Sequence, residues 1–173
     1  RSGGADLNSL IYQLVSPDRY LPLQQSADLR IRVANPSMLD FSKLYIGKLN
    51  RKGEWGSVGG KYEDGFVHAK IRELGTFAVL SDSIPPKVKA INKNNWAKSG
   101  EISFLAEDKE TGIYSYRGTV DGQYALFYLD IMPKKIRYKL DKSRLVRGKQ
   151  HKVQLEVVDN AKNRTFIEEE FYW

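Results

Sequence analysis

The chain has no cysteine, so no disulfide and no thiolate metal site holds it together. It also has no apolar run near the ~20 residues that a membrane-spanning helix requires. Histidine is scarce: His68 and His151 are the only two, and each reads as an exposed strand residue, His68 alternating with Lys70 and Arg72 and His151 opening a strand. Nucleophilic chemistry through cysteine is therefore excluded, and no serine lies in a Gly-x-Ser-x-Gly elbow. Gly59-Gly60 lacks the Lys-Ser/Thr that would make it a phosphate-binding loop. The missing cysteine fits the cytosol, and it equally fits a bacterial exported protein that does not rely on disulfides. The chain begins at Arg1 rather than Met, which reads as part of a longer protein.

What is present is enough for packed cores: 41% hydrophobic and 28% charged residues across 173 positions, room for one large domain or two small ones. The net charge is +7. Residues 1–84 carry 11 Lys+Arg against 9 Asp+Glu, or +2, leaving 17 against 12, or +5, for residues 85–173. That excess is dispersed. Lys134-Lys135, Arg137 and Lys139 alternate with apolar residues, as on the wet face of a strand. A nucleic-acid partner would call for a one-sided basic field, so none is expected. Attraction to an anionic polymer or lipid surface stays open.

Period-two alternation dominates. In 28–34, Leu29, Ile31 and Val33 share one face and Arg30 and Arg32 the other. Residues 43–49, 65–72 and 76–80 read as further strands, separated by turn clusters such as 50–53 and 63–65. Residues 1–8 are small and polar and read as a frayed lead-in, and 36–41 has room for a short helix. Ser81-Asp82-Ser83-Ile84-Pro85-Pro86 then breaks the pattern, because two prolines cannot donate to a ladder; a short stiff joint follows. Beyond it the rhythm restarts at 87–91, 101–106, 113–120, 124–131, 135–140, 151–158 and 164–172, with a hairpin at Asp121-Gly122. Seven strands in 173 − 84 = 89 residues suit an immunoglobulin-like sandwich. The fold class expected is all-β: a β-sandwich over 1–84 and an immunoglobulin-like sandwich over 85–173.

The stretch from Leu74 to Val88, the turn Glu107-Asp108-Lys109-Glu110-Thr111-Gly112-Ile113, the run from Tyr116 to Gly122, and Asp159-Asn160-Ala161-Lys162-Asn163 are distinctive together. They resemble the C-terminal accessory region of exported Bacteroidetes proteins whose N-terminal part is a lysostaphin-type zinc peptidase acting on peptidoglycan. The resemblance covers about residues 60–173. It implies a periplasmic or cell-envelope location and an attached peptidase domain as partner. That family's zinc is held by two histidines and an aspartate, with a catalytic histidine. With no His-x-His here, no residue of this chain matches that motif, and no catalytic residue and no cofactor are expected.

The remaining candidates are weaker. Asp108, Glu110 and Asp121, with Glu107, are calcium candidates at one sandwich end, and Asp82 at the joint is placed to approach Asp159; turn capping accounts for each aspartate singly. Tyr114, Tyr116 and Tyr124 are candidates for a sugar-stacking face, Tyr114 and Tyr116 together and Tyr124 opposite across the hairpin. Core or cross-strand packing is the better-supported use of these tyrosines and of Trp96 and Trp173. Glu168-Glu169-Glu170 reads as a solvated strand end rather than a catalytic acid pair. The function expected is a noncatalytic spacer or docking module, with a carbohydrate-binding module as the alternative.

Overall fold

The computed structural model describes residues 6–16, 23–34, 39–132 and 134–173. Residues 1–5 of the expected lead-in, a further turn cluster that the sequence places at 35–37, and residues 36–38 of the expected helix at 36–41 lie outside the described residues. The chain divides into two compact units. One comprises residues up to Ile84 with Lys109–Gly112 and Asn160–Lys162; the other comprises Pro85–Asp108, Ile113–Asp159 and Asn163–Trp173. Both are built almost wholly from antiparallel sheets, as the alternation requires.

In the first unit, β1 (Asp6–Leu7) and β2 (Tyr12–Leu14) pair in turn with β8 (Gly75–Ser81), which continues to β4 (Leu44–Leu49) and β5 (Trp55–Gly59). A second sheet runs β3 (Ala27–Arg32), β7 (Phe66–Ile71), β6 (Lys61–Glu63). The alternating residues Ile31, Val67 and Ile71 of one sheet meet Leu44, Ile46, Phe77 and Val79 of the other in a common core. Two features departed from the alternation. The lead-in at 6–8 is a paired edge, not frayed: between its two pieces the Ser9 hydroxyl accepts from the buried Val79 N–H at 2.8 Å, standing in for a ladder carbonyl. Gly59-Gly60 is the corner where the chain leaves one sheet for the other. Gly60 has φ +148°, and a Cβ there would lie 2.7 Å from Val67 Cγ1.

The second unit has two four-stranded sheets. One runs β13 (Tyr128–Asp130), β14 (Lys135–Lys139), β10 (Glu101–Glu107), β9 (Lys87–Ala90). The other runs β12 (Gln123–Ala125), β11 (Ile113–Val120), β15 (Gln150–Asp159), β16 (Arg164–Tyr172). Numbered within the unit, one sheet takes strands one, two, six and five and the other strands four, three, seven and eight, the order of an immunoglobulin-type sandwich. Among the described residues there are eight strands here rather than seven. The stretch read as one strand, 124–131, is two: β12 pairs with β11, then the chain crosses at Leu126–Phe127 and β13 pairs with β14 in the other sheet. Ala125 and Phe127 are both buried while Leu126 between them is exposed, a pattern that alternation alone reads as a continuous strand.

The core of this unit is aromatic. Trp96 sits in a single helical turn, α1 (Trp96–Ser99), 1% exposed, with its indole N–H donating to Ile91 O at 2.8 Å. It packs on Phe104 and Phe171, and Phe127 joins Phe104 to Tyr138. Trp173 shares this core, and its indole N–H is buried without a hydrogen-bond partner among the described residues, so of the two buried indole donors only that of Trp96 is satisfied.

Candidate binding surfaces

The Asp121-Gly122 turn forms as the dipeptide requires. Both residues have positive φ, +51° and +75°, the geometry that matches the twist of a tight hairpin. Asp121 then does more than turn the chain. Its Oδ1 accepts from Lys152 N at 2.9 Å, and its Oδ2 lies 2.7 Å from His151 Nδ1. The other ring nitrogen of His151 faces Val146 O at 2.8 Å, and the ring stacks at a tilt beside Phe171. Burial opposes ionisation of Asp121, but the His151 and Lys152 hydrogen bonds outweigh it and hold the carboxyl below its ordinary range. His151 was expected on the surface and is instead 5% exposed, because it is the first inward-facing residue of β15. His68 lies on β7, partly buried, and its Nε2 is buried without a hydrogen-bond partner among the described residues.

The expected calcium cluster is not assembled. Asp108 precedes β11 and Asp121 follows it, so eight residues of strand, roughly 26 Å at ~3.3 Å each, separate them. Asp108 instead has a carboxylate oxygen within 4.8 Å of one from Asp159, which is on the neighbouring strand and fully buried. Asp159 caps its own turn, accepting from Asn163 N and Asn163 Nδ2, each at 2.8 Å. In the first unit, Asp82 is buried and accepts from the Thr111 hydroxyl at 2.6 Å and from Ile84 N at 3.0 Å. Glu110 is half-buried in that same unit.

The tyrosines do not form the expected face. A register shift between Ile113 and Ser115 makes Tyr114 a bulge residue. The bulge reverses the alternation, so Tyr114 points out at 61% exposure while Tyr116 turns inward and packs on the core. Tyr124 is exposed but stands opposite Thr119, not opposite either tyrosine. Trp96 and Trp173 are buried. Of the glutamates, Glu168 is held by Lys152 and Gln154, Glu169 by Lys93 and Glu170 by Gln150, each as a partner in surface pairing.

The first unit contains a cleft of about 320 Å³ that sequence reading missed. Ser42, Tyr45, Ser57, Thr111 and Asn160 line it, beside the Gly59-Gly60 corner. Of the lining residues, Ala161 O accepts from Lys43 Nζ and Thr111 O from Asn160 Nδ2, each at 2.8 Å. With hydroxyls and an amide but no charged side chain in the lining, it suits a neutral polar group rather than an ion. No motif marks it, because its lining comes from separate short segments.

The outer face of the β13-β14-β10-β9 sheet concentrates charge. Lys87 and Lys89 on β9 and Lys135, Arg137 and Lys139 on β14 make five cations, with Lys134 exposed just before β14; Glu101, Glu107 and Asp130 make three carboxylates. Glu101 takes Lys135 at 2.8 Å and Arg137 at 3.2 Å, and Arg137 Nε reaches Asp130 at 2.7 Å. The Lys135 hydrogen bond chiefly lowers Glu101, against some desolvation, and Asp130 followed by Glu101 raises Arg137.

Comparison with known families bears on the first unit. Residues 4–82 match the family model of the Zu5-like domain. That is an accessory domain family. The match covers somewhat less than half of the chain. The matched residues include both sheets of the first unit and the Gly59-Gly60 corner with its part of the cleft lining. No curated protein matches the chain.

Proposed function

We propose that the chain is a noncatalytic docking and spacing module of an exported cell-envelope protein, attached to a peptidoglycan peptidase. The observation that carries this reading is the Zu5-like match over residues 4–82, an accessory domain followed directly by a second β-sandwich. The disposition of the histidines supports it. His68 and His151 belong to different units, and both ring nitrogens of His151 are engaged, one by a carboxylate and one by a carbonyl. Peptidase attachment and envelope location rest on the resemblance of the joint and turn motifs. Docking would act through cations left over on the wet sheet faces, biasing contact with an anionic wall polymer or membrane.

The second reading is glycan recognition by aromatic stacking. It draws on Tyr124, at 54% exposure, and Tyr172, at 66%. These lie on the two opposite edge strands of one sheet: Tyr124 starts a row that runs through Thr119 and Gln154 to Glu168, and Tyr172 is four residues beyond Glu168 on the same strand. Affinity electrophoresis in soluble polysaccharides separates the readings. Docking through charge predicts retardation only by acidic polymers and its loss with added salt. Retardation by a neutral polysaccharide, abolished in Tyr124→Ala or Tyr172→Ala, would replace the docking reading with the glycan one.

A further inference from the structure

The β13–β14 hairpin is built unlike an ordinary surface loop. Its tip residues Ile131 and Met132 are 77% and 90% exposed. Tyr128, at 56%, stands on the outer face of β13 just behind them, and Leu126, at 52%, precedes that strand. Neither Ile131 nor Met132 is needed by the core, which Leu129 and Ile136 serve from the inward positions of the same hairpin. Soluble loop tips ordinarily carry polar residues, and a set of large exposed apolar side chains marks an interaction site.

The charge around the tip says which kind. Lys134 is the loop residue beside β14, and its carbonyl accepts from Ala106 N at 3.0 Å, which ties the base of the loop to β10. Lys89 is opposite Leu105 and Lys87 opposite Glu107 at this same end of the sheet. Lys87, Lys89, Lys134 and Lys139 make no ion pair among the described residues, whereas the carboxylates Glu101 and Asp130 are already taken by Lys135 and Arg137. The result is a projecting apolar tip on a face where uncommitted ammonium groups outnumber uncommitted carboxylates. A protein partner would call for a shaped, largely flat or concave apolar surface; a protruding tip with cations around its base fits a fluid anionic surface.

We propose that this hairpin is a membrane-contact element: Ile131 and Met132 enter the interfacial layer of an anionic phospholipid bilayer while Lys134, Lys89 and Lys87 face its headgroups. Insertion and charge act together, since one shallow apolar tip alone binds membranes only marginally. The inference sharpens the docking reading by naming a surface, and its test is separate from polymer binding.

The test is co-sedimentation of the whole chain with vesicles of phosphatidylglycerol and phosphatidylcholine in varied ratio. Binding is expected to rise with the phosphatidylglycerol fraction and to be absent on pure phosphatidylcholine. The Ile131→Ser, Met132→Ser double variant is expected to lower partitioning ~tenfold or more, and Lys89→Gln with Lys134→Gln by a similar factor. Both variants change exposed side chains, and an unchanged thermal transition confirms that they fold. An environment-sensitive fluorophore on a cysteine replacing Met132 should shift to the blue on anionic vesicles. Absence of binding at any composition would overturn the proposal while leaving retention on wall polymer intact as a separate result. Binding that survives the Ile131, Met132 double variant would also overturn it, since the contact would then be electrostatic and elsewhere.

Discussion

Replacing Gly118 with alanine should destabilise the second unit for a reason confined to one ring. Gly118 lies in the middle of β11, paired to Ala125 on one side and Leu155 on the other, so its backbone cannot move off in either direction. A Cβ built there would sit 2.2 Å from Phe127 Cε2, 2.5 Å from Cδ2 and 3.0 Å from Cζ. The ring cannot easily yield. Phe127 is 4% exposed and wedged between Phe104 and Tyr138, with centroids 6.4 and 5.3 Å away. Overpacking of this kind costs ~1–3 kcal/mol. At ~2 kcal/mol, a unit of this size should lose about 10 °C in its melting transition. The reading is checked by denaturant unfolding of the full chain followed by near-ultraviolet circular dichroism, with Phe127→Leu and the double variant alongside. A smaller side chain at 127 vacates the space the methyl needs, so the double variant should be more stable than additivity predicts by ~1 kcal/mol. A Gly118→Ala change within ~0.5 kcal/mol of the parent, or strict additivity, would refute the account of that contact.

In the first unit, Ser9→Ala should cost ~1–3 kcal/mol, because it leaves the buried Val79 N–H without its acceptor; equilibrium unfolding measures it, and a neutral result would mean another acceptor takes over. Asp121 has a lowered folded-state pKa, so its contribution is present above the unfolded value of about 3.9 and is lost as pH falls further through the folded value. Asp121→Asn should therefore flatten the acid limb of the stability profile below about pH 4, and an unchanged slope would sink that assignment. Trp96→Phe should lose the indole donation to Ile91 O and destabilise the second unit, while the first unit's transition stays in place.

Alternation was a good guide wherever a strand is long and has one wet face. Residues 28–34, 101–106 and 151–158 announce their inward positions, and Asp121-Gly122 announces its hairpin. The departures share one cause. Where the chain changes sheet or inserts a residue, pairing partners far away in sequence decide the outcome, and local periodicity carries no record of them. The crossing at Leu126–Phe127 turned one expected strand into two, and the bulge at Tyr114 split two tyrosines that simple alternation puts on one face. The acids at 108 and 121 read as neighbours at one sandwich end, yet β11 holds their turns at its two ends. His151 reads as a strand-opening surface residue until Asp121 Oδ2 and Val146 O are seen to lie against its two ring nitrogens. The cleft beside Gly59-Gly60 gathers residues from separated segments, and the meaning of Ile131 and Met132 emerges only once their exposure at a hairpin tip is known.

The central claim, docking without catalysis, is tested most directly by incubating the purified chain with insoluble peptidoglycan, sedimenting it, and assaying both fractions. The account predicts that protein is retained in the pellet at low salt and released as salt rises, with no soluble wall fragments in the supernatant at any time. Release of fragments, or protein that stays wholly in the supernatant at low salt, would contradict it.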